Sequence, residues 1–147
     1  MNEWLTVDAN APITVLGVLA RMLLACVLGA AVGWEREVAG KEAGLRTHIL
    51  VSLGAAVFTL AALELFQLSA SEGSTRGDPT RIVEGIAQGI GFLGAGQILK
   101  SGGSVQGVTT AAGIWLVGAI GMSCGAGYYL LATLGVVFAV VVLGVVR

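Results

Sequence analysis

Five stretches of this chain are long, apolar and almost free of charge, and they leave few folds open. They run over residues 13–33, 47–66, 82–99, 105–124 and 126–146. A helix that crosses a bilayer needs roughly 20 mainly apolar residues. In hydrocarbon, an isolated segment must satisfy its own backbone hydrogen bonds, so helix is the expected state. A membrane β-barrel would show segments of about 10 residues alternating between apolar and polar. These runs are longer and apolar on all sides. Only 12% of the 147 residues are charged and 56% are hydrophobic, too few charges to cover a water-exposed surface. The expected fold class is therefore all-α, a polytopic membrane helix bundle of about five transmembrane helices in one domain. The net charge of −1 gives no bulk attraction to nucleic acid.

The basic residues indicate an orientation. With the amino terminus outside, Arg36, Lys41, Arg46, Lys100 and Arg147 lie inside, against Arg76 and Arg81 outside, with Arg21 within the first span. The excess of cytoplasmic Lys and Arg favours this arrangement, with the carboxyl terminus inside. It makes residues 34–46 a cytoplasmic loop and residues 67–81 an external one. Residues 1–12 hold Glu3 and Asp8 but no Lys or Arg, unlike the start of a secretory signal.

Small residues recur at four-residue spacing: Ala25-Gly29-Gly33, Gly85-Gly89, Gly107-Ala111 and Gly121-Gly125. Residues four apart share a helix face, and in lipid such faces let backbones approach closely. The densest group, Gly85, Gly89, Gly91, Gly94 and Gly96, suits either helix packing or a broken helix lining a cavity.

Ionisable groups inside a membrane are costly and tend to be paired or functional. Arg21 lies well within the first span, and Glu84 and Gln88 lie one turn apart in the third. An Arg21–Glu84/Gln88 contact inside the bundle is one reading. Arg21 reaching a lipid headgroup, with Glu84 at the interface, is the other. Asp78-Pro79 has the chemistry of a helix start, followed by Arg81. Glu35, Arg36, Glu37, Arg46, Thr47 and His48 form a second polar concentration, in which Arg36 and Arg46 could pair with Glu35 or Glu37. The lone histidine is expected at the interface, without partners for a metal. Cys26 and Cys124 read as two small apolar residues at different depths. The segment GIGFLGAGQILKSGG does not match a phosphate loop, and no nucleophile or metal spacing is present, so neither an enzyme nor a cofactor is expected.

Four ordered blocks carry a family resemblance: Glu35-Arg36 after a glycine-rich span, Gly44-Leu45-Arg46-Thr47, Asp78-Pro79-x-Arg81, and Gly89-Ile90-Gly91-Phe92-Leu93-Gly94-Ala95-Gly96. Across residues 13–135 the chain resembles the membrane domain of the MgtC/SapB family. The resemblance implies a multi-pass protein of the bacterial inner (plasma) membrane, linked to growth at low magnesium and, in some pathogens, to virulence. It implies Glu35, Arg36, Arg46, Thr47, Asp78, Arg81 and the 89–96 run as marked positions. It also implies action by regulatory contact with a membrane partner such as the ATP synthase. The family's common Asn-Thr and Trp-Cys pairs are Thr109-Thr110 and Trp115-Leu116 here, and Glu84 lies outside its pattern. Many members continue into a cytoplasmic domain, which a chain ending at Arg147 is expected to lack. A regulatory membrane protein, docking through its glycine faces or forming a homo-oligomer, is thus set against an ion transporter or channel subunit for magnesium or protons.

Overall fold

The computed structural model describes residues 14–71, 78, 80–101 and 104–145. These form helices α1 (Val15–Val38), α2 (Leu45–Ser71), α3 (Thr80–Ala95), α4 (Val108–Ala126) and α5 (Tyr129–Val145), with strands β1 (Leu99–Ser101) and β2 (Ser104–Gln106) between α3 and α4. The chain is an all-α bundle apart from that hairpin. Helices α1, α2 and α4 are long and apolar enough to cross a membrane, and α5 is a shorter apolar helix. Large apolar side chains face outward, among them Leu16 and Phe138, while the interior sets small ones such as Ala25, Ala56 and Ala132 among Val32, Ile114, Val117 and Ile120. That inversion of a water-soluble surface is what lipid solvation demands.

Helix α4 is the central element and packs against the other four. The hairpin of α1 and α2 lies along it, α3 leans on α4 and α2, and α5 leans on α4 and α1. Glycines set the spacing. A Cβ at Gly29 would fall 2.8 Å from the His48 carbonyl oxygen and from Ser52 Cβ, and one at Gly33 would fall 2.8 Å from Leu45 Cα. From the opposite side, Gly121 abuts the Ser52 backbone, and a Cβ at Gly125 would lie 2.7 Å from the Ala56 carbonyl oxygen. Helix α2 is thereby held between two glycine seams.

Several sequence-based boundaries move. Helix α1 continues five residues past the apolar run, so Trp34–Val38 are helical, not loop. At about 1.5 Å per residue the helix is longer than a hydrocarbon core of about 30 Å requires. The third span was expected to reach residue 99, but α3 stops at Ala95 and the chain turns into the antiparallel pair Leu99↔Gln106, Lys100↔Val105 and Ser101↔Ser104. Gly107, at φ +84°, makes the left-handed step from β2 into α4. Gly127, at φ +86°, ends α4, its amide donating to the Cys124 carbonyl and that of Tyr128 to the Ser123 carbonyl. Arg76, Pro79 and Arg147 lie outside the described residues.

The small-residue faces divide accordingly. Gly29, Gly33, Gly121 and Gly125 sit at helix crossings, and a Cβ at Gly94 would lie 3.3 Å from the Ala111 carbonyl oxygen. Gly107 and Ala111 do not share a seam, because Gly107 precedes the helix. Gly96 lies in the turn after α3, against the Leu93 carbonyl. At Gly85, Gly89 and Gly91 a Cβ would meet nothing within 4 Å, so the packing role expected there is not used inside this chain.

Candidate functional site

Polar side chains collect at the end of the bundle where α1 and α5 finish, α4 begins and the hairpin folds over. They surround a cavity of about 1020 Å³ lined by Glu35, Arg36, Glu42, Gln97, Gln106 and Thr110, among others. Arg36 is 3% exposed. It occupies the last turn of α1, where the unpaired helix carbonyls favour a cation. Its Nη2 donates to Thr110 Oγ1 at 3.0 Å, tying α1 to the first turn of α4. Glu35 Oε2 lies 3.9 Å from Arg36 Nη1, an ion pair too long for a hydrogen bond. Arg36 Nε and Glu35 Oε2 are both buried without a hydrogen-bond partner. Arginine offers five N–H donors in a fixed fork, and the Nε donor of this one is buried unpaired.

Next to it, Glu37 Oε2 accepts from the Leu45 amide at 2.8 Å and caps α2 from across the turn. Of the pairings expected in this segment, Arg36–Glu35 forms. Arg46 is exposed and makes no ion pair among the described residues, and Thr47 is half-buried. His48 departs furthest from expectation: it is fully buried, not interfacial. Its Nδ1 lies 2.8 Å from the Gly44 carbonyl oxygen, which can only accept, so Nδ1 carries the proton. Nε2 is left as an unpaired acceptor facing Gly113 of α4, whose Cβ position is 3.6 Å away. Ser52 Oγ, one turn on, donates to the Ala25 carbonyl at 2.7 Å.

At the opposite end, Arg21 Nη1 donates to the Gly125 carbonyl at 2.9 Å. The contact expected between Arg21 and Glu84 or Gln88 is not made: both α3 side chains are exposed. The carbonyls at the α4 C-terminus have no intrahelical partners and carry partial negative charge, which is what a cation in an apolar bundle needs. Asp78 Oδ1 accepts from the Thr80 hydroxyl at 2.7 Å and the Thr80 amide at 2.9 Å. These two bonds hold the Asp78 carboxyl below its ordinary range. Arg81 is exposed beside it. Among the described residues, no group of three or more His, Cys, Asp or Glu could hold a metal ion.

Ser52, Gln97 and Gln106 are not singled out by their sequence positions, while His48 and Thr110 stand out there only as a lone histidine and as half of a variant family pair. A polar residue recurring near a glycine seam was the available signal for His48 and Ser52. Gln97, Gln106 and Thr110 join the site only because the hairpin folds α3 back onto the start of α4.

The fold and this polar end define the class: a helical, multi-span membrane protein with a buried ionic cluster at one end of its bundle. The chain belongs to the MgtC family, whose model matches residues 22–147. It is 42% identical to the protein named "Putative magnesium transporter YhiD" of Escherichia coli K12, over 86% of this chain and 59% of that one. It is 42% identical to Protein MgtC of Brucella abortus, over 84% of this chain and 48% of the relative. Protein SrpB of Synechococcus elongatus is 38% identical, over 87% and 74%. The chain thus spans about half to three-fifths of the length of the first two relatives. No solved structure matches it.

Proposed function

We propose that this chain is a non-enzymatic regulatory protein of the bacterial inner membrane, acting by lateral contact with another membrane protein. The observation that carries this reading is the outward face of α3. Ile86, Ile90 and Gly94 turn inward, so Arg81, Glu84, Gly85 and Gln88 lie on the opposite side, all exposed, with exposed Gly89 on its flank. Polar groups facing hydrocarbon are costly, and glycines with open space beside them admit a second backbone. A transmembrane helix with small residues of its own covers both. The ATP synthase, which the family resemblance implies, is the partner of choice, with growth at low magnesium and virulence as the physiological setting. The amino terminus lies outside and the carboxyl terminus inside, which puts the Arg36 cavity on the cytoplasmic side.

Photo-crosslinking from position 88 in intact membranes tests the reading. Adducts to an ATP-synthase subunit, lost in Gly85→Leu, are expected. Adducts only to a second copy of this chain replace the regulatory contact with a homo-oligomer. The relative named as a magnesium transporter supplies the alternative, an ion-transport subunit. Magnesium or proton flux through liposomes holding only this protein, without partner capture, favours that alternative.

A further inference from the structure

We propose that the cavity at the Arg36 end binds a ligand carrying an oxyanion and a protonated amine side by side, the chemistry of a phosphoethanolamine headgroup. Two independent features call for the oxyanion. Arg36 is almost wholly buried at the cavity, and only Nη2 of its guanidinium makes a hydrogen bond. Helix α4 begins at the same cavity. The amides of its first turn have no intrahelical acceptor, and its N-cap, Gly107, has no side chain to supply one. A guanidinium and a positive helix end that face one space leave a place for negative oxygen.

A simple anion does not complete the site. Glu35 Oε2 is buried there without a hydrogen-bond donor, and Glu42 also lines the cavity, so the carboxylates balance Arg36 and Lys41. A phosphate alone would face two carboxylates, and a metal cation alone would face the buried guanidinium. A phosphate with an ammonium two carbons away matches both signs of charge: its oxygens suit the Arg36 guanidinium and the α4 amides, and its N–H donors suit the Glu35 carboxylate.

The location indicates the source. The cavity lies at the helix ends, and one wall is Val142 and Leu143 of α5. Val142 is 54% exposed on an otherwise apolar helix, so that wall adjoins the acyl chains. A phosphatidylethanolamine molecule entering from the bilayer fits this geometry. Free phosphoethanolamine from the aqueous side shares the chemistry.

The full-length chain is reconstituted in nanodiscs of equal parts phosphatidylethanolamine, phosphatidylglycerol and phosphatidylcholine, then released and weighed by native mass spectrometry. Retention of phosphatidylethanolamine over each of the other two by at least about tenfold is expected, since only it presents both the charge and the N–H donors. Glu35→Gln abolishes that preference, and Arg36→Lys lowers the retention of all three phosphate-bearing lipids. Glu42→Gln, at an exposed residue, also weakens it and controls for folding. Stabilisation by free phosphoethanolamine without lipid retention, lost in Glu35→Gln, upholds the site and assigns it a water-borne ligand. Equal retention of the three lipids with no stabilisation by free phosphoethanolamine overturns the proposal. So does equal retention of phosphatidylglycerol and phosphatidylethanolamine, indifferent to Glu35→Gln.

Discussion

Arg36 Nη2 donates to Thr110 Oγ1 across 3.0 Å, joining the last turn of α1 to the first turn of α4, 74 positions further along the chain. The bond is buried, and it is the one hydrogen bond the Arg36 guanidinium makes among the described residues. Thr110→Val removes the acceptor while keeping the shape. The expected loss of stability is about 1.5–3 kcal/mol, the usual size of a hydrogen bond to a charged group. Thr110→Ser retains most of it. Thermal melting in a single detergent measures both.

The glycine seams are expected to differ sharply in tolerance. Gly121→Ala drives a methyl group into the Ser52 backbone, which cannot move without displacing α2, and is expected to cost about 3 kcal/mol or more. Gly85→Ala meets open space and leaves the melting temperature unchanged or slightly raised, because alanine favours helix. Equal losses at the two positions would mean that α3 packs differently.

Arg21 and Glu84 are expected to behave independently. Arg21→Met removes the donor to the Gly125 carbonyl and lowers stability by about 1–2 kcal/mol. Glu84→Ala leaves the fold unaffected, and the double substitution is additive within about 0.5 kcal/mol. Coupling well beyond that value in the double-mutant cycle would restore the direct contact.

Protonation of Asp78 is expected to fray the start of α3. Its carboxyl titrates below the ordinary value of 3.8 because the carboxylate accepts two bonds from Thr80. The cap is therefore in place above that value and is lost as pH falls through the lower, folded-state value. Hydrogen exchange at the Thr80 amide, followed from about pH 5 down to about pH 2, through and below the ordinary carboxylate value, reports the loss. In Asp78→Ala the exchange rate no longer carries that titration.

The helices were legible because each apolar run is a local property. Any segment of that length and composition must close its own hydrogen bonds in hydrocarbon. The glycines of α1 and α4 were legible too, since four-residue spacing places them on one face whatever the neighbour is. The partners were not. Spacing alone could not separate Gly121, pressed against α2, from Gly85, which faces open space, because both belong to the same four-residue motif. The charges were the hardest to place. The sequence offers Arg21 either Glu84 and Gln88 or a lipid headgroup, and its acceptor is a backbone carbonyl at a helix end.

The amino-acid sequence alone therefore determined the solvent of this protein, the number of its helices and the faces available for close packing, since hydrophobicity and helical periodicity are written residue by residue. Tertiary structure decided which seams are filled and which remain open. It decided that α1 carries Glu35 and Arg36 beyond the apolar run as helix, that a hairpin folds α3 back over α4, and that His48 is sealed inside. It also built a cavity whose lining unites a buried guanidinium with an uncapped helix start. Burial and hydrogen-bond satisfaction depend on what arrives from elsewhere in the chain, and a polar residue carries no mark of its future neighbour.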